Sequence, residues 1–335
     1  MRIMVTGGAG FIGSQYVRAM LEGSYEVYKD AHVTVLDKLT YAGNRSNIPA
    51  AHQRLDFILG DICDTRLLLE TLPGHDAVVH FAAESHVDRS IGQAPRFVHT
   101  NVAGTQALLG ACLQSGVQRF VQVSTDEVYG SIEKGSRTEG SPLLPSSVYA
   151  ASKAAAEMIA QAYWRTHGLE ISITRSCNNY GPYQFPEKMI PLFVTNLLEG
   201  RPVPLYGTGR NIRQWLHVED HCRAIHLVFS RGRPGETYNI GGGQEQDNLA
   251  VTELLLELCG ANHSMIQHVA DRKGHDMRYS IDDSKIREEL GYVPHIDFGE
   301  GLRRTVDWYR NNTDWWKAVK YGIDNGRGVT PSQFG

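Results

Sequence analysis

The segment Thr6-Gly7-Gly8-Ala9-Gly10-Phe11-Ile12-Gly13 restricts what this chain can fold into more than any other. It follows directly on a short apolar run, Ile3–Thr6, and opens a stretch with helical spacing. Gly7, Gly10 and Gly13 form G-x-x-G-x-x-G, a variant of the dinucleotide fingerprint. Glycines there permit a tight strand-to-helix turn and let backbone N–H groups approach a pyrophosphate at the helix N-terminus. Such a turn belongs to a strand-helix-strand unit, so it predicts an α/β chain.

The first half of the chain fits that expectation. Apolar runs at Ile3–Thr6, Val33–Asp37, Phe57–Gly60, Ala77–Ala82, Phe120–Ser124 and Ile171–Arg175 read as strands. Between them lie helical patterns, including Arg96–Gln114 and Tyr149–Thr166. Alternation of this kind predicts an α/β fold with a doubly wound parallel, Rossmann-type sheet. Beyond Asn178 the pattern loosens: Gly181-Pro182-Tyr183-Gln184-Phe185-Pro186 is loop chemistry, a helix follows near Lys188–Leu198, and Pro202, Pro204, Gly207 and Gly209 punctuate the rest. We read residues 1–178 as the cofactor-binding domain and 179–335 as a smaller C-terminal α/β substrate lobe. The apolar runs Ala224–Phe229 and Tyr238–Ile240 suggest return segments around 216–241.

Bulk properties exclude several classes. Lys plus Arg number 33 against 37 Asp plus Glu, a net charge of −4 that predicts no nucleic-acid partner and no affinity for an anionic membrane. No apolar run approaches the roughly 18 residues of a membrane span. Arg2-Ile3-Met4-Val5-Thr6 reads as a buried strand and not as a signal peptide. Five scattered cysteines lack metal-type spacing, so no metal site is expected and a cytoplasmic location is the default.

Asp37 ends the second strand, where a carboxylate accepts hydrogen bonds from an adenosine ribose and repels a 2′-phosphate, favouring NAD over NADP. Its distance from the glycines exceeds the usual 20 or so residues, and the polar stretch Glu22–Ala31 reads as the loop insertion responsible. Asp61-Ile62 and Phe81-Ala82-Ala83, after the third and fourth strands, stand where further cofactor contacts belong. Tyr149 and Lys153 lie four apart on one helical face. An ammonium beside the phenol, together with the positive nicotinamide ring, is expected to bring Tyr149 into the range of a useful base. The spacing alone proves little, because about 0.4 chance matches are expected, and Tyr25 with Lys29 supplies one. Thr125-Asp126-Glu127 is more informative: two carboxyls of different pKa beside a hydroxyl can serve as general acid and general base.

These residues resemble the extended short-chain dehydrogenase/reductase family and, within it, the dTDP-glucose 4,6-dehydratases. The likeness runs through TGGAGFIGS (6–14), LDKLTYAGN (36–44), HFAAESHVDRSI (80–91), VSTDEVYGS (123–131), YAASK (149–153), NNYGPYQFPEKMIPLF (178–193) and DRKGHDMRYSID (271–282). It implies a tightly held NAD, recycled within the reaction and contacted by Gly7, Gly10, Phe11, Ile12, Gly13, Asp37, Lys38, Thr40, Asp61, Ile62, Phe81, Ala82, Ala83, Thr100, Tyr149, Lys153 and Asn179. It implies that Tyr149 takes the proton of a sugar 4-hydroxyl oriented by Thr125, that Glu127 is the base at C5, and that Asp126 protonates the departing 6-hydroxyl. The same resemblance assigns the nucleotide-sugar substrate, dTDP-glucose, to Ser85, Thr125, Asn178, Glu187, Lys188, Pro204, Leu205, Tyr206, Arg213, Asn248, Arg272 and His275. Gln214 stands where many relatives carry an acidic residue. A homodimer through two long helices, with Arg96–Gln114 and the Tyr149 helix as candidates, is also implied. A nucleotide-sugar 4-epimerase, a dehydratase for another nucleotide-hexose and a non-catalytic NAD-binding scaffold stay open as alternatives.

Overall fold

Ile3, Met4 and Val5 have no polar alternation and all three are fully buried, the pattern of a strand covered on both faces. In the computed structural model, which describes residues 1–272 and 274–322, they form β1 (Arg2–Thr6). It lies among β2 (His32–Asp37), β3 (Leu55–Leu59), β4 (Ala77–His80), β5 (Arg119–Thr125) and β6 (Glu170–Ser176). Further along come β7 (Asn178–Tyr180), β8 (Val203–Tyr206), β9 (Ile212–His217), β10 (Thr237–Ile240), β11 (Gln244–Asp247) and β12 (Ile266–Val269). The main sheet has seven strands in the order β10-β6-β5-β4-β1-β2-β3, all parallel. The chain reverses its winding between β1 and β4, which is where a doubly wound sheet opens a ligand crevice.

Helices cover both faces. On one side pack α1 (Phe11–Leu21) and, from far downstream, a helix at Val218–Arg231. On the other lie α2 (Thr65–Thr71), a helix at Thr105–Ser115 and the long helix Val148–His167, joined through Leu68, Leu108, Leu109 and Ala160. In chain order these and their neighbours are α3 (Val87–Gly92), α4 (Ala94–Phe97), α5 (Thr105–Ser115), α6 (Val148–His167), α7 (Met189–Leu198), α8 (Val218–Arg231) and α9 (Asn248–Cys259). The ends of α6 are written in its sequence: Ser147 Oγ accepts the Ala150 N–H, and Gly168 leaves the helix at φ +72°. A separate core, including Tyr180, Phe193, Val203, Trp215, Val251, Leu255 and Leu302, holds the later residues together around the small sheets β11-β9-β7 and β12-β8.

Three sequence expectations need correction. The helix over Arg96–Gln114 is not regular: between α4 and α5, residues Val98–Gly104 take the wider π-helical turn. There Asn101, buried, accepts the Glu84 N–H at 2.8 Å and donates to Ser152 Oγ at 2.9 Å. The fourth strand stops at His80, and Phe81–Ala83 leave the sheet at the crevice. The Glu22–Ala31 insertion is not simply a solvated loop. Tyr25 is buried and stacks on His226 with ring centroids 4.3 Å apart, leaving Lys29 outside with Glu26. Residues 218–240 run back onto the first sheet, α8 against β5 and β6, and β10 as its edge strand beside β6.

One buried ion pair ties this edge to the middle of the fold. Arg175 on β6 donates Nε and Nη2 to Glu157 Oε2 of α6, at 2.9 and 2.7 Å, and Nη1 to the Tyr129 hydroxyl at 2.7 Å. Tyr129 in turn donates to Asn239 Oδ1 of β10 at 2.8 Å. Both charged side chains are under 5% exposed, so losing one partner strands a charge away from water. Glu157→Ala should destabilise the protein by about 3–5 kcal/mol, while the joint replacement Glu157→Leu with Arg175→Met should cost distinctly less. Urea denaturation of the three proteins checks this; equal losses would contradict it.

Candidate active site

The turn after β1 is built from close contacts that only glycine permits. Gly7 has φ +70°, and a Cβ there would lie 2.6 Å from Ala82 N; one at Gly13 would lie 2.3 Å from Gly7 O. Gly10 meets only Gly7 O at 3.3 Å, so its bareness serves the open side of the turn. It is also the N-cap of α1 and supplies no capping side chain. The first N–H groups of the helix therefore face the crevice, as anion binding requires. Below the turn, Thr105 donates to Asn101 O at 2.7 Å, which leaves His80 Nε2 as donor to Thr105 and Nδ1 as acceptor from Thr6 Oγ1 at 2.6 Å. Burial and the Lys153 charge lower the His80 pKa to about 3, so it bridges β1 and α5 as a neutral ring.

A cleft of about 370 Å³ runs from this turn across the carboxyl ends of the strands. Its lining contains each of the expected cofactor residues, Gly7, Gly10, Phe11, Ile12, Gly13, Asp37, Lys38, Thr40, Asp61, Ile62, Phe81, Ala82, Ala83, Thr100, Tyr149, Lys153 and Asn179. At one end Asp37 accepts the Ala9 and Leu39 N–H groups at 2.9 and 2.8 Å, one on each oxygen. Burial raises its pKa and those two bonds oppose the rise. Lys38 reaches Asp61 at 2.5 Å. Burial opposes the ionisation of Asp61, yet Lys38 and the Cys63 N–H together hold it below the usual carboxylate range. The glycine cradle, the uncapped helix and the carboxylate at the end of β2 fit an NAD adenosine and pyrophosphate, and the carboxylate would repel a 2′-phosphate.

At the other end the cleft holds Thr125, Asp126, Glu127, Tyr149 and Lys153. Thr125 closes β5, and its hydroxyl accepts the Glu127 N–H at 3.3 Å, turning the chain sharply so that both carboxyls stay at the strand end. Asp126 is buried, with Oδ2 unpartnered among the described residues. Burial first, then the charge of Glu127, raise its pKa to about 8. Burial also raises Glu127, but Lys188, Arg272 and Arg213 pull it back. Arg213 acts on both carboxyls, but Lys188 and Arg272 oppose the rise at Glu127 while the Glu127 charge adds to it at Asp126, so of the two Asp126 holds its proton more firmly.

Tyr149 lies among protein groups that oppose its ionisation. Burial pushes its pKa up, Glu127 adds to the rise, and the Thr125 hydroxyl opposes it. The Lys153 ammonium does not offset this. Its Nζ donates to Val123 O at 2.7 Å, and burial lowers its pKa to about 8. The protein's own groups thus favour the neutral phenol of Tyr149, and the activation expected from sequence joins the ammonium to the positive nicotinamide ring.

The substrate residues divide into two groups. Ser85, Thr125, Asn178, Glu187 and Lys188 line the cleft, and Lys188 Nζ donates to Ser85 O at 2.8 Å. Pro204, Leu205, Tyr206, Arg213, Asn248, Arg272 and His275 do not line it. Leu205 lies in the second core, so its side chain forms no wall, while Pro204 is half-buried and alternates onto the strand face of Tyr206. Arg213 is not a surface charge: it donates to Ile212 O and Asp276 O at 2.8 and 2.9 Å and sits 4.3 Å from the Tyr279 ring centroid. Asn248 opens α9, where its N–H is bonded to Asn211 O. Tyr206 and Arg272 both approach Asp88 of α3, at 3.4 and 3.6 Å, and His275 bonds Asp271 at 2.6 Å. Gln214, where an acidic residue was expected, contacts Ser280 and Ile281.

Sequence reasoning missed several lining residues, among them Ser124, Ser176, Gln184 and His221. Ser124 and Ser176 sit at strand carboxyl ends, a position that itself marks a ligand site in such sheets. Gln184 and His221 reach the cleft from a loop and from α8, and nothing in their local spacing announces it.

The native state holds a proton on Asp126 that the unfolded chain releases near the ordinary carboxylate range, so its stabilising effect is complete below that range and is lost as pH rises toward about 8. Replacement by Asn should remove that decline, making Asp126→Asn gain on the parent protein between about pH 4 and 8. Thermal melts across this range test the sign. An infrared carboxylic-acid band at pH 7 that disappears in the variant tests the protonation directly.

The family model described as GDP-mannose 4,6 dehydratase matches residues 4–305. A dTDP-glucose 4,6-dehydratase of Streptomyces niveus is 58% identical over 322 residues, 96% of each chain. The solved structure of DesIV, a dTDP-glucose 4,6-dehydratase from Streptomyces venezuelae with NAD and TYD bound, is 59% identical, covers 95% of this chain and 100% of its own, and superimposes with a TM-score of 0.94. A UDP-glucose 4-epimerase of Thermotoga maritima, solved with UDP-glucose, is 31% identical over 93% of this chain and 100% of its own, with a TM-score of 0.86.

Proposed function

The chain belongs to the GDP-mannose 4,6 dehydratase family, and from that premise we propose that it is an NAD-dependent hydro-lyase converting dTDP-glucose to dTDP-4-keto-6-deoxyglucose and water. The observation that carries the reading is the pair Asp126 and Glu127, one carboxyl buried and one partly so, held in unequal local fields beside Thr125 at the end of β5, in the cleft that Tyr149 and Lys153 of α6 also line. NAD, when bound, supplies a hydride acceptor for C4 and returns the hydride to C6, so it is not consumed.

Tyr149 accepts the proton of the 4-hydroxyl, whose oxygen Thr125 orients. Because the protein alone raises the phenol pKa, Tyr149 becomes a base only beside the positive ring of the oxidised cofactor, and proton removal is thereby coupled to readiness for oxidation. The 4-keto group then acidifies C5, Glu127 takes the C5 proton, and Asp126 gives its proton to the departing 6-hydroxyl, which leaves as water. Once C6 has received its hydride, Glu127 returns the proton to C5, and the proton taken from the 4-hydroxyl by Tyr149 balances the one lost by Asp126. Lys153, anchored on Val123 O, orients the nicotinamide ribose. Asn178, Glu187, Lys188 and Ser85 hold the sugar and the near side of the nucleotide. Tyr206, Arg213, Asn248, Arg272 and His275 serve its far end, with Pro204 and Leu205 contributing backbone, in the lobe 179–335 that faces the cofactor domain 1–178 and its returning segments 216–241.

The epimerase neighbour keeps a second reading in view, since C4 oxidation is common to both reactions. Product analysis separates them: incubation with dTDP-glucose should yield a 4-keto sugar that develops its chromophore in base, whereas dTDP-galactose would overturn dehydration. A turnover screen over dTDP-, UDP-, GDP- and CDP-glucose tests the nucleotide. Glu127→Gln should lose roughly 10²- to 10⁴-fold in dehydration rate while retaining bound NAD and still oxidising C4, seen as NADH absorbance on mixing with substrate. Undiminished turnover would refute its role.

We further infer a cytoplasmic homodimer. The five cysteines are all free, and among the described residues no helix is long and apolar enough to cross a membrane. Val98 and Leu113, at either end of the run through α5, and Met158 on α6 are exposed by 51%, 39% and 59%, an apolar face suited to a second copy. Met158→Glu should shift light-scattering mass toward the monomer; an unchanged mass would redirect the interface elsewhere.

A further inference from the structure

His221 is completely buried on α8, yet neither ring nitrogen has a hydrogen-bond partner among the described residues. It is also part of the cleft lining. A buried polar group without a partner is unfavourable unless something completes it, and here two unpartnered nitrogens belong to one ring. Burial lowers the pKa to about 3, so the imidazole is neutral and offers one N–H donor and one acceptor.

The surroundings indicate which part of the cleft it serves. The next residue, Cys222, directs its thiol to Ile12 O of α1 at 3.4 Å. One turn earlier, His217 pairs with Tyr180 across the β7–β9 ladder, next to the pair Asn179–Leu216. His221 therefore stands between the first turn of α1 and the end of β7, where a dinucleotide lying on the glycine turn passes from pyrophosphate to nicotinamide riboside. Two side-chain amides in the same lining are oriented with their oxygens unpartnered. Asn179 Nδ2 donates to Cys177 O and Gln184 Nε2 to Asn179 O, both carbonyls that can only accept, which leaves Asn179 Oδ1 and Gln184 Oε1 as free acceptors.

We propose that His221 is a cofactor-binding residue, its neutral imidazole holding the nicotinamide riboside half of NAD with Asn179 and Gln184 as the accompanying acceptors. This rests on the NAD-dependent reading above and adds a residue to it. A neutral ring suits the place, because a cation there would oppose the positive nicotinamide. It also favours retention through the whole cycle, since a neutral donor–acceptor contact holds the oxidised and the reduced cofactor alike.

His221→Phe keeps the ring shape and removes both nitrogens. A purely structural role predicts a protein at least as stable with unchanged cofactor, because an apolar ring relieves an unpaired buried polar group. The proposal predicts at least a tenfold faster release of NAD(H) during gel filtration, or a tenfold weaker affinity by fluorescence titration with NADH. The unliganded melting temperature should be unchanged or higher. Unaltered release and affinity overturn it. Nitrogen-15 spectra of histidine-labelled wild-type holoenzyme give a second reading independent of how the variant folds: His221 resonances should move when NAD is stripped, and unmoved resonances overturn the proposal. Wild-type protein that binds no NAD would overturn the enzymatic reading itself, an outcome distinct from a variant that binds as well as wild type.

Discussion

The contact on which the rest depends is the one between the backbone of Gly7 and the backbone of Ala82, closer than any side chain would allow. It draws the exit of β1 against the exit of β4 at the point where the sheet changes its winding direction, and it tips the start of α1 toward the crevice. The axis of the site follows from it: polar and acidic residues of β2 and β3 at one end, the hydroxyl and two carboxyls of β5 at the other. Gly13 locks the turn from within, and the neutral His80 bridge holds it from below. At Gly7 and Gly13 the backbone comes closer than a side chain would allow, which leaves the turn's N–H groups open to the crevice.

The chemistry at the far end is set by unequal fields on like groups. Asp126 and Glu127 are adjacent, the first buried and the second partly so, and desolvation pushes both up. Arg213 opposes that push on both, and Lys188 and Arg272 oppose it further on Glu127. Each of those cations is contributed by residues beyond 179, so the difference between the two carboxyls at the end of β5 is imposed by the second half of the chain. Arg213 exerts this influence while its guanidinium is bonded to carbonyls of its own lobe, which makes it a fixed source of field.

Much of this was legible in the sequence, for identifiable reasons. Glycine spacing, strand-end carboxylates and the Tyr149–Lys153 pair are local patterns with one geometric meaning, and all of the cofactor residues they indicated line one cleft. What was not legible depends on partners distant in the chain. The spacing of Tyr149 and Lys153 did not reveal that the ammonium is anchored on Val123 O, a carbonyl thirty residues away. Leu205 looked like a wall residue, but strand alternation turns it into a core. The π-helical turn at Val98–Gly104 has no signature in composition, because it accompanies Asn101 bonding to Glu84 and Ser152 across the fold. His221 reads as one more position of an amphipathic helix until α8 is laid against α1.

The seventh strand gives the molecule a particular order of assembly. During synthesis β6 emerges long before β10, and until it does β6 is an open sheet edge with unpaired backbone groups, a template for pairing with other chains. Arg119 is in the same position, for its Nη2 finds Val228 O and Gly232 O only when α8 arrives. A fragment cut at residue 178, where the pattern of the sequence changes, would keep the glycine turn but leave that edge raw and that guanidinium largely unpaired. The first half of the chain is therefore better regarded as an unfinished sheet awaiting its closing strand than as a cofactor module that could be excised or transplanted.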